Sequence, residues 1–314
     1  MTAVYASVDL GGTNIKCALG NESGEIFYSD STPTLSHQGP PAVLERIAGL
    51  VLALSEKAGS KPAALGMGCP GLVDIRNGVA RFFPNLPTKW RDVPVREILS
   101  PAIGCPVYLL NDVRTTALGE LTFGHGRTAE TMVFFALGTG IGGGIAIDRK
   151  LRLGPLGAAG ELGHQIILPD GPRCGCGNRG CLETLASGPA IAAEGIRLMQ
   201  TGLAPRLHEL TGGDASRVTT KEMAEAARAG DENVREAIIR AAQYLGIGVV
   251  TLWWRFIQTS SFWGAASLKS VTCFSTRSAR RFVSVSVCSQ LRISRSNRPN
   301  LATTPEHWAE LPWP

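Results

Sequence analysis

Apolar and polar positions alternate along residues 4–9, the pattern of a strand with one buried face. Gly11-Gly12-Thr13 turns the chain, and 15–19 and 25–30 read as second and third strands of an antiparallel meander. The period then changes. Val43, Leu44, Ile47, Leu50, Val51 and Leu54 recur at helical spacing and predict a helix over 42–58. A short apolar strand follows at 64–69. Another at 107–110 delivers Asn111 and Asp112 at its C-terminal end, and 115–123 reads as a helix. The pattern restarts with a strand at 131–137, the turn Gly138-Thr139-Gly140 and a strand at 142–147. Later helices are predicted over 191–200, 221–229 and 233–250. Two lobes that each begin strand, Gly/Thr turn, strand point to an internal duplication. The expected architecture is α/β, with lobes 1–112 and 113–250 flanking a cleft and an anomalous, poorly ordered tail at 251–314.

Composition narrows the class. With 314 residues, 44% of them hydrophobic, the chain can bury a sizeable core. No uninterrupted apolar run is long enough to cross a bilayer, and no export signal precedes the first strand. The net charge of +5 invites a nucleic-acid partner, but its location argues against one. Residues 251–314 hold eight Lys/Arg and two acids, which leaves 23 basic and 24 acidic residues in the remainder. Eight cysteines without an export signal point to a reducing cytoplasm and a metal site. Neither nucleic acid nor membrane is an expected partner.

The metal candidates lie in GELGHQIILPDGPRCGCGNRGCLE, residues 160–183. His164, Cys174, Cys176 and Cys181 form a complete tetrahedral ligand set for a structural zinc, with no open position for a metal-bound water. The bland alternative is three unrelated thiols on a flexible loop. Beside them, Glu161, His164 and Glu183 can accept hydrogen bonds from sugar hydroxyls, or can be carboxylates solvated on a loop. His164 can offer one ring nitrogen to the ion and the other to a hydroxyl. Asn85, on the Pro-bounded loop 82–90, is a further hydroxyl partner.

DLGGTNIK, residues 9–16, joins two strands through a glycine pair whose N–H groups can approach phosphate oxygens. Thr13 and Lys16 add a hydroxyl and a charge, and Asp9 can orient Mg²⁺ or its waters. A plain hairpin turn is the competing reading. LGTGIGGG, residues 137–144, is a second such turn, carrying Gly138, Thr139 and Gly140. LLNDVR, residues 109–114, places Asp112 where open α/β sheets present ligand groups. Asp112 suits the acceptance of a hydroxyl proton during phosphoryl transfer. It equally suits an N-cap for the following helix. Asn111 can donate and accept hydrogen bonds to a polyol.

DLGGTNIK, GCPGLVD, LNDVR, ALGTGIGGG, GELGH and CGCGNRGCLE together resemble the ROK family of sugar kinases and, within it, the bacterial glucokinases. The resemblance covers about residues 3–250. It implies a two-lobed actin-like ATPase (ribonuclease H-like) fold with a structural zinc loop, acting as a dimer or tetramer. It also implies phosphorylation of the 6-hydroxyl of glucose, or of a related hexose or N-acetylhexosamine, by MgATP. Asp112 then resembles the catalytic base, and Asn85, Asn111, Glu161, His164 and Glu183 the sugar contacts. His164, Cys174, Cys176 and Cys181 resemble the zinc ligands. Asp9, Gly11, Gly12, Thr13, Gly138 and Thr139 resemble the metal and phosphate elements. A sugar-responsive repressor of the same family would need a helix-turn-helix ahead of Asp9, for which eight residues leave no room.

The resemblance stops near Val250. Beyond it lie five of the six tryptophans, and helical or strand periodicity disappears. Back-translating residues 252–279 with G/C-rich codons and slipping one nucleotide can give LVALYPNLVVLGGGVAEVGDVLFDPVR, with a strand and a glycine triplet. The expectation is therefore a shifted reading frame, with weakened MgATP binding and, at the extreme, a sugar-binding remnant without catalysis.

Overall fold

The amino-terminal alternation becomes strand β1 (Tyr5–Leu10), whose Ala6, Val8 and Leu10 point inward while Tyr5, Ser7 and Asp9 stay exposed. It pairs antiparallel with β2 (Asn14–Gly20), and β2 with β3 (Ile26–Pro33), so the expected meander is present. The structure is a computed structural model describing residues 3–84, 86, 90–256, 274–275 and 281–287. β4 (Leu65–Cys69) and β8 (Val107–Asn111) join β1 in parallel, giving a five-stranded sheet in the order β3-β2-β1-β4-β8. Between β4 and β8 the chain inserts β5 (Leu72–Asp74), β6 (Val79–Phe82) and β7 (Arg91–Val93), a three-stranded antiparallel sheet.

Helix α1 (Pro40–Ala58) covers the predicted span and buries Val43, Leu44, Ile47, Val51 and Leu54. Gly59 ends it in the left-handed region at φ 62°, where a Cβ is disfavoured. α2 (Val95–Ile103) was not expected, although Val95, Leu99 and Ile103 recur every four residues on its buried face. These helices share one core with β1, β2, β4 and β8. Each fully buried Leu or Ile there stabilises the fold by about 1.5–3 kcal/mol.

After α3 (Asp112–Thr122) come β9 (Thr131–Leu137), β10 (Ile141–Ile147) and β11 (Lys150–Leu151), neighbours in a second sheet in the order β11-β10-β9. The remaining helices are α4 (Leu182–Ala186), α5 (Gly188–Gln200), α6 (Pro205–Thr211), α7 (Thr220–Arg228) and α8 (Glu232–Phe256). Local chemistry fixes their starts. Ser187 caps α5, and Thr219 with Glu222 forms a capping box on α7. α8 runs six residues past the predicted end. By length and composition it is long and apolar enough to cross a membrane. Its Val234, Ala237, Ala241, Leu245, Gly248 and Leu252 are nevertheless buried, and it packs on α4, α5 and α7 as a core helix does.

Among the described residues two compact units result. One holds those up to Phe135, Gly142–Leu162 and 281–284; the other holds Ala136–Ile141, 163–256, 274–275 and 285–287. The tail expectation falls almost wholly outside the described residues, which beyond Phe256 are two strands at 274–275 and 281–287.

Candidate functional site

In the first unit, the end of β8 decides where α3 begins. Asn111 Oδ1 accepts the N–H groups of Val113 (3.1 Å) and Arg114 (3.3 Å), so the cap falls on Asn111 and not on Asp112. That cap starts the helix three residues before the apolar period indicated. The Asn111 amide nitrogen donates to the carbonyls of Cys69 (3.5 Å) and Gly71 (3.3 Å). Both ends of this side chain are thus engaged by the protein itself.

Asp112, relieved of capping, is partly buried in the first turn, its Oδ1 accepting the Val113 N–H at 2.8 Å. Burial pushes its carboxyl above the usual carboxylate range. The Val113 N–H opposes this, the negative charge of Asp9 adds to it, and Arg114 opposes it in turn. Beneath lies Cys69, a fully buried thiol pushed upward by desolvation and by the charges of Asp112 and Asp9.

Asp9 is the penultimate residue of β1 and lies 3.9 Å from Lys16 across the β1–β2 pairing. Both are exposed, so the ion pair contributes little to stability. The Gly11 N–H donates to Asn14 O at 3.0 Å, and a Cβ at Gly11 would come within 2.8 Å of that oxygen. Thr34, completely buried, clamps the turn: its hydroxyl donates to Gly11 O (2.7 Å) and its N–H to Thr13 O (2.8 Å). Gly12 and Thr13 remain exposed at the tip. No sequence signal marked Thr34, because its partners lie more than twenty residues away.

Arg114 was part of the LLNDVR motif but carried no expectation. Its side chain is only 2% exposed and pairs with Glu161, with Nη2 2.6 Å from Oε1. A fully buried arginine two residues past the candidate base, bonded to another candidate site residue, was legible only once the chain had folded.

In the second unit, the Gly138-Thr139-Gly140 turn is held from three directions. Gly138 N–H donates to Gly140 O (2.9 Å), and Gly188 N–H, at the start of α5, donates to Gly138 O (2.9 Å). Glu183 Oε2 accepts the Ile141 N–H at 2.9 Å, and a side chain at Gly140 would strike that same oxygen. Glu183 therefore sits in the first turn of α4 as a brace for the glycine turn, not as a carboxylate loose on a loop.

α4 is preceded directly by Cys181, so the brace and the cysteine loop are continuous in the chain. One ligand atom each from His164, Cys174, Cys176 and Cys181 lies within 4.8 Å of all the others. Cys174 Sγ is 3.5 Å from His164 Nδ1, and Cys176 Sγ is 3.6 Å from Cys181 Sγ. A tetrahedral ion with bonds of about 2.3 Å to sulfur has ligand–ligand edges of roughly 3.8 Å. The donor set fits. The loop carries its own scaffold: Cys174 N–H donates to Asn178 O, Gly177 N–H to Cys174 O and Gly180 N–H to Pro172 O. The Asn178 N–H holds the exposed Cys176 thiol below its ordinary range, whereas burial pushes Cys181 up to about 12. Asn85, the remaining expected sugar contact, lies outside the described residues.

Comparison with known proteins adds a family to this geometry. The ROK family is matched over residues 5–258, eight residues past Val250, where the motif resemblance stops. A glucokinase from Thermotoga maritima is 39% identical over 251 residues, covering 76% of this chain and 77% of that one. A ROK hexokinase structure from Thermus thermophilus has a TM-score of 0.69 at 35% identity, covering 80% of this chain and 78% of that one. A ROK glucokinase from Streptomyces griseus, solved with glucose and AMPPNP, has a TM-score of 0.67 at 34% identity, covering 81% and 80% of the two chains.

Proposed function

The chain belongs to the ROK family, and from that premise we propose that it transfers the γ-phosphoryl group of ATP to the 6-hydroxyl of glucose. The observation that carries this reading is Asp112: a carboxylate just past the end of β8, freed from capping by Asn111 and made more basic by burial. Phosphoryl transfer asks the protein mainly for positioning, charge stabilisation and a proton acceptor. Asp112 accepts the hydroxyl proton as the oxygen attacks phosphorus. Relatives named glucokinase support glucose as the hexose.

Other roles follow residue by residue. In the first unit, Asp9 and Lys16 face the phosphate side, with the N–H groups of the Gly11–Thr13 turn. Glu161, Asn111 and Asn85 serve the sugar. In the second unit, the Gly138–Gly140 turn takes phosphate oxygens, while Glu183 and His164 serve hydroxyls. Mg²⁺ bound with ATP neutralises the charge developing on the phosphates. Cys174, Cys176, Cys181 and His164 would hold a structural zinc, supplying shape without an open coordination position. A thiolate zinc site suits a reducing compartment, and a cytoplasmic location is part of this proposal.

A hexose panel with ATP, run on this chain and on a version carrying the slipped reading of 252–279, tests the proposal. Glucose is expected to lead. Asp112→Asn is expected to lower turnover about 10²–10⁴-fold while leaving glucose affinity nearly unchanged. Near-normal turnover by Asp112→Asn removes that residue from the role. Failure of both chains to phosphorylate any hexose removes the function.

A further inference from the structure

The guanidinium of Arg114 is buried in the first turn of α3 and makes a hydrogen-bonded fork that no role so far accounts for. Nε donates to Ala159 O at 3.0 Å and Nη1 to Asn111 Oδ1 at 3.1 Å. Nη2 donates to Glu161 Oε1 at 2.6 Å and, more weakly, to Ala158 O at 3.5 Å. One rigid planar group therefore ties the cap residue of the Asp112 helix to two carbonyls and a carboxylate of a segment more than forty residues downstream. Glu161 is itself 46% exposed, so the arginine is not there to rescue a buried acid. Its short, charge-assisted bond fixes where an outward-reaching carboxylate stands.

We infer that Arg114 is a positioning residue: it sets the placement of Glu161 relative to Asp112, and so the registration of sugar hydroxyls against the base. The inference rests on reading Glu161 as a sugar contact. Arginine suits the task for a definite reason. Its fork satisfies acceptors in several fixed directions at once, which a lysine ammonium on a flexible stem does not. Losing a well-placed hydrogen bond to a charged acceptor costs about 10–100-fold in affinity.

The experiment measures glucose affinity by calorimetry on the 314-residue chain, with MgATP affinity and melting temperature measured alongside. The variants are Arg114→Lys, Arg114→Met, Glu161→Ala and the double variant Arg114→Met/Glu161→Ala. Arg114→Met and Glu161→Ala are each expected to weaken glucose binding about 10–100-fold, with MgATP affinity unchanged within about two-fold. The double variant should be no weaker than Glu161→Ala alone, because the arginine acts through that carboxylate. Arg114→Lys should lie in between; if Arg114→Met does not fold, Arg114→Lys and its pairing with Glu161→Ala carry the cycle. A lower melting temperature with unchanged glucose affinity, or additive losses in the double variant, overturns the inference and leaves the function standing. Unchanged glucose affinity in Glu161→Ala overturns the reading of Glu161 itself, and the inference with it.

Discussion

The start of α3 and the cysteine loop offer two ways of building a precise site. At the start of α3 the contacts are between protein groups: Asn111 caps the helix, and Arg114 donates to acceptors of the 158–161 segment. That region is complete as folded. The loop from His164 to Cys181 brings four ligand atoms within 4.8 Å, and two of the thiols are drawn in opposite directions, Cys176 downward and Cys181 upward. Three sulfurs and an imidazole so close are best reconciled by a cation. The difference is one of dependence: the first region is held by bonds between protein groups, and the second would draw further on the zinc proposed for it.

Removing the proposed zinc should show that contrast most strongly. A chelator, or Cys181→Ser, is expected to lower the melting temperature by roughly 10 °C. An ion held at about a thousand times its dissociation constant contributes about 4 kcal/mol, and each kcal/mol is worth about 2–4 °C in a chain of this size. Asp112 and its surroundings should be little disturbed, which hydrogen exchange of the 111–122 amides would register. An equal loss of protection in both regions would erase the distinction.

A smaller effect tests whether the cysteine loop is coupled to the glycine turn beside it. Glu183 receives the Ile141 N–H from the first turn of the helix that Cys181 precedes. Glu183→Ala is expected to raise the KM for ATP roughly ten-fold, the cost of one such hydrogen bond of about 1.4 kcal/mol. Glu183→Gln retains an acceptor and should stay within about two-fold. Steady-state kinetics at saturating glucose decides this; equal effects of the two variants would separate the turn from its brace.

The smallest effect concerns pH. Because burial raises the Asp112 carboxyl in the folded protein, the folded state binds its proton more tightly than the unfolded state. Stability should therefore fall as pH rises from about 4, the unfolded value, through the folded one. The activity limb belonging to the deprotonated base should appear at the folded value, above the ordinary carboxylate range. The groups acting on Asp112 are Asp9, Arg114 and the Val113 N–H, with the Cys69 thiol responding to its charge. Asp112→Asn should flatten the stability profile in that window, as denaturant titrations at several pH values would show. An unchanged profile would mean that the carboxyl is not under strain.

Short-range patterns carried a large share of this protein. Alternation at the amino terminus gave the meander, the spacing of Val43 to Leu54 gave α1, and the crowding of Cys174, Cys176 and Cys181 gave the ligand cluster. Each of these depends on residues close together in the chain, where side-chain type and spacing act directly. Sequence leaves Asp112 open between capping the following helix and accepting a proton, because a carboxylate has the chemistry for either. Folding gave the cap to Asn111, whose amide also reaches the carbonyls of Cys69 and Gly71. α2 escaped notice because its first residue follows a proline-rich stretch and its apolar period is only two turns long.

What the sequence determined alone was the longer, strongly periodic elements and the inventory of reactive groups. Tertiary structure decided their partners. Arg114 meets Glu161 across 47 residues, Thr34 meets Gly11 across 23, and Glu183 meets Ile141 across 42. No local periodicity encodes such pairs; they exist because strands and helices, packed to bury their apolar faces, bring distant polar groups to where each must find a partner.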